Sequence, residues 1–163
     1  MSKLSDSMRE FLNGCHYATL ATLNEDGSIH LTPVWYLFED ECFFVSTAAA
    51  SDRKVRNILA RPQVSLVVDS RRKQGSEMWV SASGTGEIIR GERSKEINAK
   101  IPQRYLTKAG LEDPRVGPVF AAGEVTICLT PHSWRSWELK SDDDQFFGGL
   151  LGQRPEQWFL PVD

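Results

Sequence analysis

Little in this chain points to metal or nucleophilic chemistry. Of its 163 residues, only three are cysteine and three are histidine. Cys15, Cys42 and Cys128 are odd in number and far apart, so they form no disulfide framework and no CxxC zinc knuckle. His16, His30 and His132 make neither HxH nor HxxxH spacing, so no metal site is expected. There is no G-x-S-x-G elbow for a serine nucleophile. Nor is there a P-loop, or a G-x-G-x-x-G turn after a strand, so a nucleotide-type cofactor would need another device. Cys15 follows a helix end instead of starting one, which argues against an activated thiolate. A net charge of −3 excludes non-specific nucleic-acid binding as the main task. No apolar run approaches the roughly 20 residues that span a bilayer, and Met1–Asp6 lacks a signal-peptide apolar region. A reducing cytoplasm is the expected setting.

What is present reads as a soluble globular chain, 40% hydrophobic and 25% charged. Its length suits one domain over residues 1–163, with 141–163 as a C-terminal tail. Ser7-Met8-Arg9-Glu10 fits a capping box that opens a short helix ending at Asn13-Gly14. Strands then follow at close intervals: Tyr17–Leu23, Ser28–Leu37, Cys42–Thr47, Gln63–Asp69 and Met78–Ile89, with Asn24-Glu25-Asp26-Gly27 and Glu39-Asp40-Glu41 as turns. Gly84 and Gly86 mark a bulge, a corner or a close approach within the longest of them. Helices are expected over Ser51–Ala60, Glu92–Lys100 and Pro102–Ala109. Val125–Leu129 is a further strand, and Trp134–Leu139 continues as a last one. Hairpins with a few interrupting helices predict a mainly β fold, an antiparallel Greek-key-like barrel with helical decoration.

The richest stretch runs from Phe43 to Leu59. A buried strand passes through Ser46, Thr47, three alanines and Ser51 into a helix carrying Arg53, Lys54 and Arg56. The first amides of a helix lack intrahelical partners and carry partial positive charge, so a phosphate there meets N–H donors, hydroxyls and cations together. Basic residues oppose the helix dipole when such a site is empty, and a phosphorylated ligand relieves that conflict. The same pattern also reads as a solvated basic turn on an amphipathic helix. Arg71-Arg72-Lys73 reads as a solvated hairpin tip.

Residues 10–140 resemble the split β-barrel flavin-binding family that includes pyridoxamine 5′-phosphate oxidase. The resemblance rests on an ordered set: Ala21–Ser28, Leu31-Thr32-Pro33-Val34-Trp35-Tyr36, Val45-Ser46-Thr47, Ser51-Asp52-Arg53-Lys54, Asn57–Leu66 and Gly84-Thr85-Gly86-Glu87. It implies a homodimer of split barrels that share cofactor sites at their interface. Arg53 and Lys54 would then bind the cofactor phosphate, with Ser46, Thr47 and Ser51 adding donors. Thr32, Pro33, Val34 and Trp35 would line the ring, with Trp79 near it and Trp137 reaching the site of the second subunit. The tail would pack over the partner. FMN is the expected cofactor, with deazaflavin coenzyme F-420 as the alternative and haem after it. The implied activity is hydride transfer to or from a small molecule, and the competing class is a non-catalytic flavin- or haem-binding protein. The oxidase's Arg-and-His signature is replaced after Trp137 by the acidic run Glu138–Asp144, so oxidation of pyridoxamine phosphate itself is not expected.

Overall fold

The computed structural model describes residues 3–70, 75 and 77–161. Seven antiparallel strands form one curled sheet in the order β2-β1-β5-β6-β7-β4-β3. They are β1 Ala18–Leu23, β2 Ile29–Val34, β3 Leu37–Glu39, β4 Cys42–Thr47, β5 Gln63–Asp69, β6 Met78–Ile89 and β7 Val125–Glu138. This is a split β-barrel with helices, as the hairpin-rich pattern predicts. Among the described residues no helix is long and apolar enough to cross a membrane.

Turn chemistry sets the hairpins. Gly27 supplies φ +82° after β1, and Asp26 Oδ1 accepts the Ser28 amide at 2.9 Å. Asp40 and Glu41 both adopt left-handed φ, +51° and +59°, which gives the two-residue β3–β4 turn the twist of its strands. The spine is the β6–β7 pair, which runs in register from Met78↔Glu138 to Ile89↔Thr126 with one shift between Ser83 and Gly84. A Cβ on Gly84 would lie 2.0 Å from the Thr130 carbonyl oxygen, so only glycine permits this crossing.

The main core holds Leu12, Leu20, Tyr36, Phe43, Val45, Leu66, Val80, Ile127, Leu129 and Trp134. Each such side chain contributes roughly 1.5–3 kcal/mol when fully buried. Helix α1 (Asp6–Asn13) adds Met8 and Leu12, and α2 (Arg53–Ala60) adds Val55 and Ile58. A smaller cluster of Phe44, Ile97, Ile101 and Cys128 lies under α3 (Gly91–Lys100). Helices cover β4 on its second face, which is why its sequence is a continuous apolar run instead of an alternation.

Several local expectations fail: the strands expected over Val125–Leu129 and Trp134–Leu139 are one, β7, and the helix expected from Ser51 starts at Arg53. Ser5, not Ser7, caps α1, its hydroxyl accepting the Met8 amide at 3.2 Å. The strand expected over Ser28–Leu37 ends at Val34, because Trp35 and Tyr36 turn away to stack and to enter the core. The helix expected over Pro102–Ala109 splits into a 3-10 turn at Pro102–Arg104 and α4 (Lys108–Glu112), since Thr107 caps a new start by accepting the Gly110 amide at 3.2 Å. A further short helix, α5 (Gly117–Ala121), had no expectation. The Arg71-Arg72-Lys73 tip lies outside the described residues.

Beyond β7 the tail folds back through α6 (Leu139–Asp142), a π turn at Asp143–Phe147 and α7 (Leu150–Gln153). Asp143 is buried and accepts the Leu151 and Gly152 amides at 2.9 and 2.7 Å. Gly148 and Gly149, at φ +62° and +81°, make the reversal possible.

Candidate functional site

Strand β4 delivers Ser46 and Thr47 to a turn of small residues, and α2 begins after Asp52. Asp52 occupies the cap position, its carbonyl accepting the Val55 and Arg56 amides while its side chain bonds no helix amide. Its carboxylate instead accepts the Thr47 hydroxyl and, at 3.0 Å, the Lys54 ammonium. The Thr47 hydroxyl, followed by Lys54, holds that carboxyl below the usual carboxylate range. Lys54 is largely enclosed, its side chain 15% exposed. A second carboxylate comes from far along the chain: Glu124 Oε2 accepts the Ala50 amide at 2.7 Å.

The opposite wall is the end of β2 and the residues after it. The Trp35 ring lies between Tyr105 (4.6 Å, 9°) and Phe120 (4.7 Å, 22°), a three-ring stack drawn from three segments. The Tyr105 hydroxyl accepts the Tyr36 amide at 3.0 Å and sits 2.9 Å from the His16 carbonyl oxygen. Burial pushes its pKa up, so it stays a phenol and keeps its donor. Phe120 is carried by α5, which is tied down just beyond its end. Asn98, fully buried on α3, donates to the Gly123 carbonyl at 2.9 Å and accepts from Thr126 at 2.7 Å. A Cβ on Gly123 would lie 2.0 Å from Ser46 Oγ, so glycine lets this segment close against β4.

Between these walls is a concavity of about 340 Å³, lined by Thr32–Trp35, Ser46–Ala48, Asp52, Lys54 and Phe120, among others. That size lies within the range of small-molecule sites, about 300–1,000 Å³. One end offers strand backbone and aromatic faces, and the other offers hydroxyls and an ammonium. Among the described residues no group of three or more His, Cys, Asp or Glu could hold a metal ion.

Residues 4–138 match the sequence profile of the pyridoxamine 5′-phosphate oxidase family. The chain belongs to that family. Solved structures with the same split-barrel fold include a conserved hypothetical protein from Mycobacterium tuberculosis, at 26% identity and TM-score 0.69 over 86% of each chain. An F-420 reductase is similar at 23% identity and TM-score 0.61, over 78% of this chain and 94% of that one. HutZ, a haem storage protein from Vibrio cholerae, is similar at 17% identity and TM-score 0.60, over 84% and 95%. No curated protein matches the sequence.

Within this member of the family, Thr32, Pro33, Val34, Trp35, Ser46, Thr47 and Lys54 all line the one concavity. Arg53 lines a different one, about 970 Å³, with Arg56, Arg61, Asn24 and Asp26. Helical rotation separates the two neighbours, since successive side chains point about 100° apart. Ser51 is exposed on the turn before α2. Trp79 and Trp137 face each other across β6 and β7 and line a third hollow, about 610 Å³, with Val67, Glu77 and Phe159. Trp137 Nε1 donates to Asp142 at 2.6 Å. Sequence reasoning missed Asp52, Tyr105, Phe120, Gly123 and Glu124. Asp52 had a signal, being an acidic residue in a cap position beside two cations; the others are joined to the site only by folding.

Proposed function

We propose that this protein is a flavin-type oxidoreductase that moves a hydride to or from a small organic molecule, with FMN or its deazaflavin counterpart F-420 as cofactor. Family membership supports the class, and one observation carries the site. Strand backbone from Thr32 to Trp35 faces Ser46, Thr47 and Lys54 across a single concavity. These residues fit such a cofactor. A flat ring needs an apolar slot with unobstructed backbone, and its phosphorylated side chain needs hydroxyls and a cation at the far end. Thr32–Trp35 and the Phe120 face supply the slot, while Ser46, Thr47 and Lys54 supply the anchor. The bound ring supplies the hydride chemistry. The chain fixes orientation and keeps water from one side, which needs no acid or base side chain.

The functional unit in this reading is a homodimer. The outer face of β2, β1, β5 and β6 carries small residues, including Thr19, Ala21, Ser65, Ser81 and Ser83. Ile29 and Leu31, 67% and 61% exposed, flank it on one side, and the Trp79–Trp137 pair flanks it on the other. Such a face suits sheet-on-sheet packing with a second copy, with the tail from residue 141 against the partner. Trp137 would thereby approach the other subunit's site. Exposed, free Cys15 suits a reducing cytoplasm. The acidic run after Trp137 argues against a phosphorylated substrate.

The test is an absorption spectrum of the purified protein, followed by titration of the apo-protein with FMN and with F-420. A bound flavin absorbing at about 450 nm, and turnover with a nicotinamide donor and an artificial acceptor, are expected. A haem spectrum, or binding without turnover, would favour the storage class instead.

A further inference from the structure

The two tryptophans expected near the cofactor ring line a hollow of their own. Trp79 of β6 and Trp137 of β7 are directly opposed in register, and Asp69 of β5 lies on the other side of Trp79. The hollow, about 610 Å³, also takes in Glu77 and Phe159, the latter returned by the tail. Among the described residues none lines both this hollow and the concavity that holds Lys54. Asp142 accepts the Trp137 indole N–H at 2.6 Å, so what that ring has left for a ligand is its π surface. Glu77 precedes β6, where its carbonyl accepts the Leu139 amide at 2.9 Å. Its carboxylate oxygen Oε2 is buried and bonds nothing among the described residues. A buried carboxylate oxygen left so costs free energy, and such an exception in a folded protein calls for a partner. Lys140 does not provide one, being bonded to Asp144 at 3.2 Å, and Arg135 does not line the hollow.

We propose that the Trp79–Trp137 hollow is a binding site for a small organic cation, a quaternary or protonated amine. Indole faces attract positive charge through the ring quadrupole, most strongly where water is excluded. Glu77 supplies a carboxylate at short range, where the attraction is least screened. A neutral ligand of the same shape fills the space and leaves Glu77 unpaired, and an anion meets like charge. Aromatic faces alone would suit any apolar ligand, and a carboxylate alone would suit a metal ion or a lysine. Together they select a ligand that is charged and weakly hydrated. This inference goes beyond the cofactor reading and does not depend on it, because the two sites share no lining residue.

The experiment keeps ligand shape constant and changes only charge. Choline and its neutral isostere 3,3-dimethylbutan-1-ol are titrated into the full chain at neutral pH, with the indole N–H resonances followed by NMR. Choline is expected to shift the Trp79 and Trp137 signals and to bind about tenfold more tightly than the alcohol. Glu77→Gln keeps the side chain's size and should bring the two probes to similar affinity. Without ligand it should leave Tm unchanged or raise it, because the oxygen it replaces has no internal partner. Trp79→Leu should weaken choline more than the alcohol, and the Glu77 variant carries the test should this one fail to fold. Equal affinity of the two probes for the wild type, no binding of either, choline shifts confined to the other tryptophans, or a Tm lowered by Glu77→Gln would each overturn the proposal. Flavin titration of the same sample reads the concavity separately, so failure there leaves this site standing.

Discussion

The Glu124 carboxylate and the Ala50 amide, 74 residues apart in sequence, meet at 2.7 Å on the turn that leads into α2. Through that bond the segment after α5 reaches the turn that opens α2. That bond ties the segment carrying Phe120 and Gly123, which line the concavity, to the turn before Asp52 and Lys54.

Lys54 and Arg53 should separate under mutation. Among the described residues Lys54 is the one cation lining the concavity; Lys54→Ala removes it, and cofactor affinity should fall by roughly tenfold to a hundredfold, as for a lost charge-assisted bond. Arg53→Ala should cost less, since that side chain lines the adjacent hollow. Fluorescence titration of both variants checks the order; equal losses would return Arg53 to the anchor.

Acid stability should report on Asp52. Its carboxyl is depressed chiefly by the Thr47 hydroxyl and then by Lys54. A depressed carboxyl contributes stability that is present above its unfolded pKa and is lost as pH falls through its folded one. Thr47→Val removes the larger cause, so the acid limb of a Tm-against-pH curve, below about pH 4, should shift upward. Above about pH 5 the pH dependence of the two proteins should run parallel.

The β6–β7 crossing should be intolerant. Gly84→Ala places a methyl 2.0 Å from the Thr130 carbonyl oxygen, a backbone atom that cannot rotate away. A loss of about 2–4 kcal/mol in chemical denaturation is expected, in the range of severe overpacking. Gly27→Ala, with open space around it but φ +82°, should cost about 1 kcal/mol.

Asn98 should act on the site from beneath. Asn98→Ala leaves the Gly123 carbonyl and the Thr126 hydroxyl without that partner, at about 1–3 kcal/mol. Hydrogen exchange should accelerate over residues 117–124 more than in β5 or β6. Cofactor affinity should fall with it, although Asn98 does not line the concavity.

Association should depend on the outer sheet face. Leu31→Glu puts a charge on an exposed apolar position of the edge strand, and sedimentation should then show monomer. A dimer that survives this change would place the interface elsewhere.

The sequence by itself determined several strands and marked the candidate anchor. Cys42–Thr47, Gln63–Asp69 and Met78–Ile89 are legible to the residue, because alternation, β-branching and flanking Gly, Pro and Asp are local signals. The run from Ser46 to Lys54 is legible because hydroxyls, small residues and cations sit together along the chain. Tertiary structure alone decided that Lys54 enters the concavity while Arg53 does not, since a side chain's direction depends on how α2 rotates to bury Val55 and Ile58. It also decided that Tyr105 and Phe120 stack on Trp35 and that Glu124 caps Ala50. Those partners lie some 70 to 85 positions apart, and they meet only because β7 pairs with β4 and draws the segment before it across the sheet.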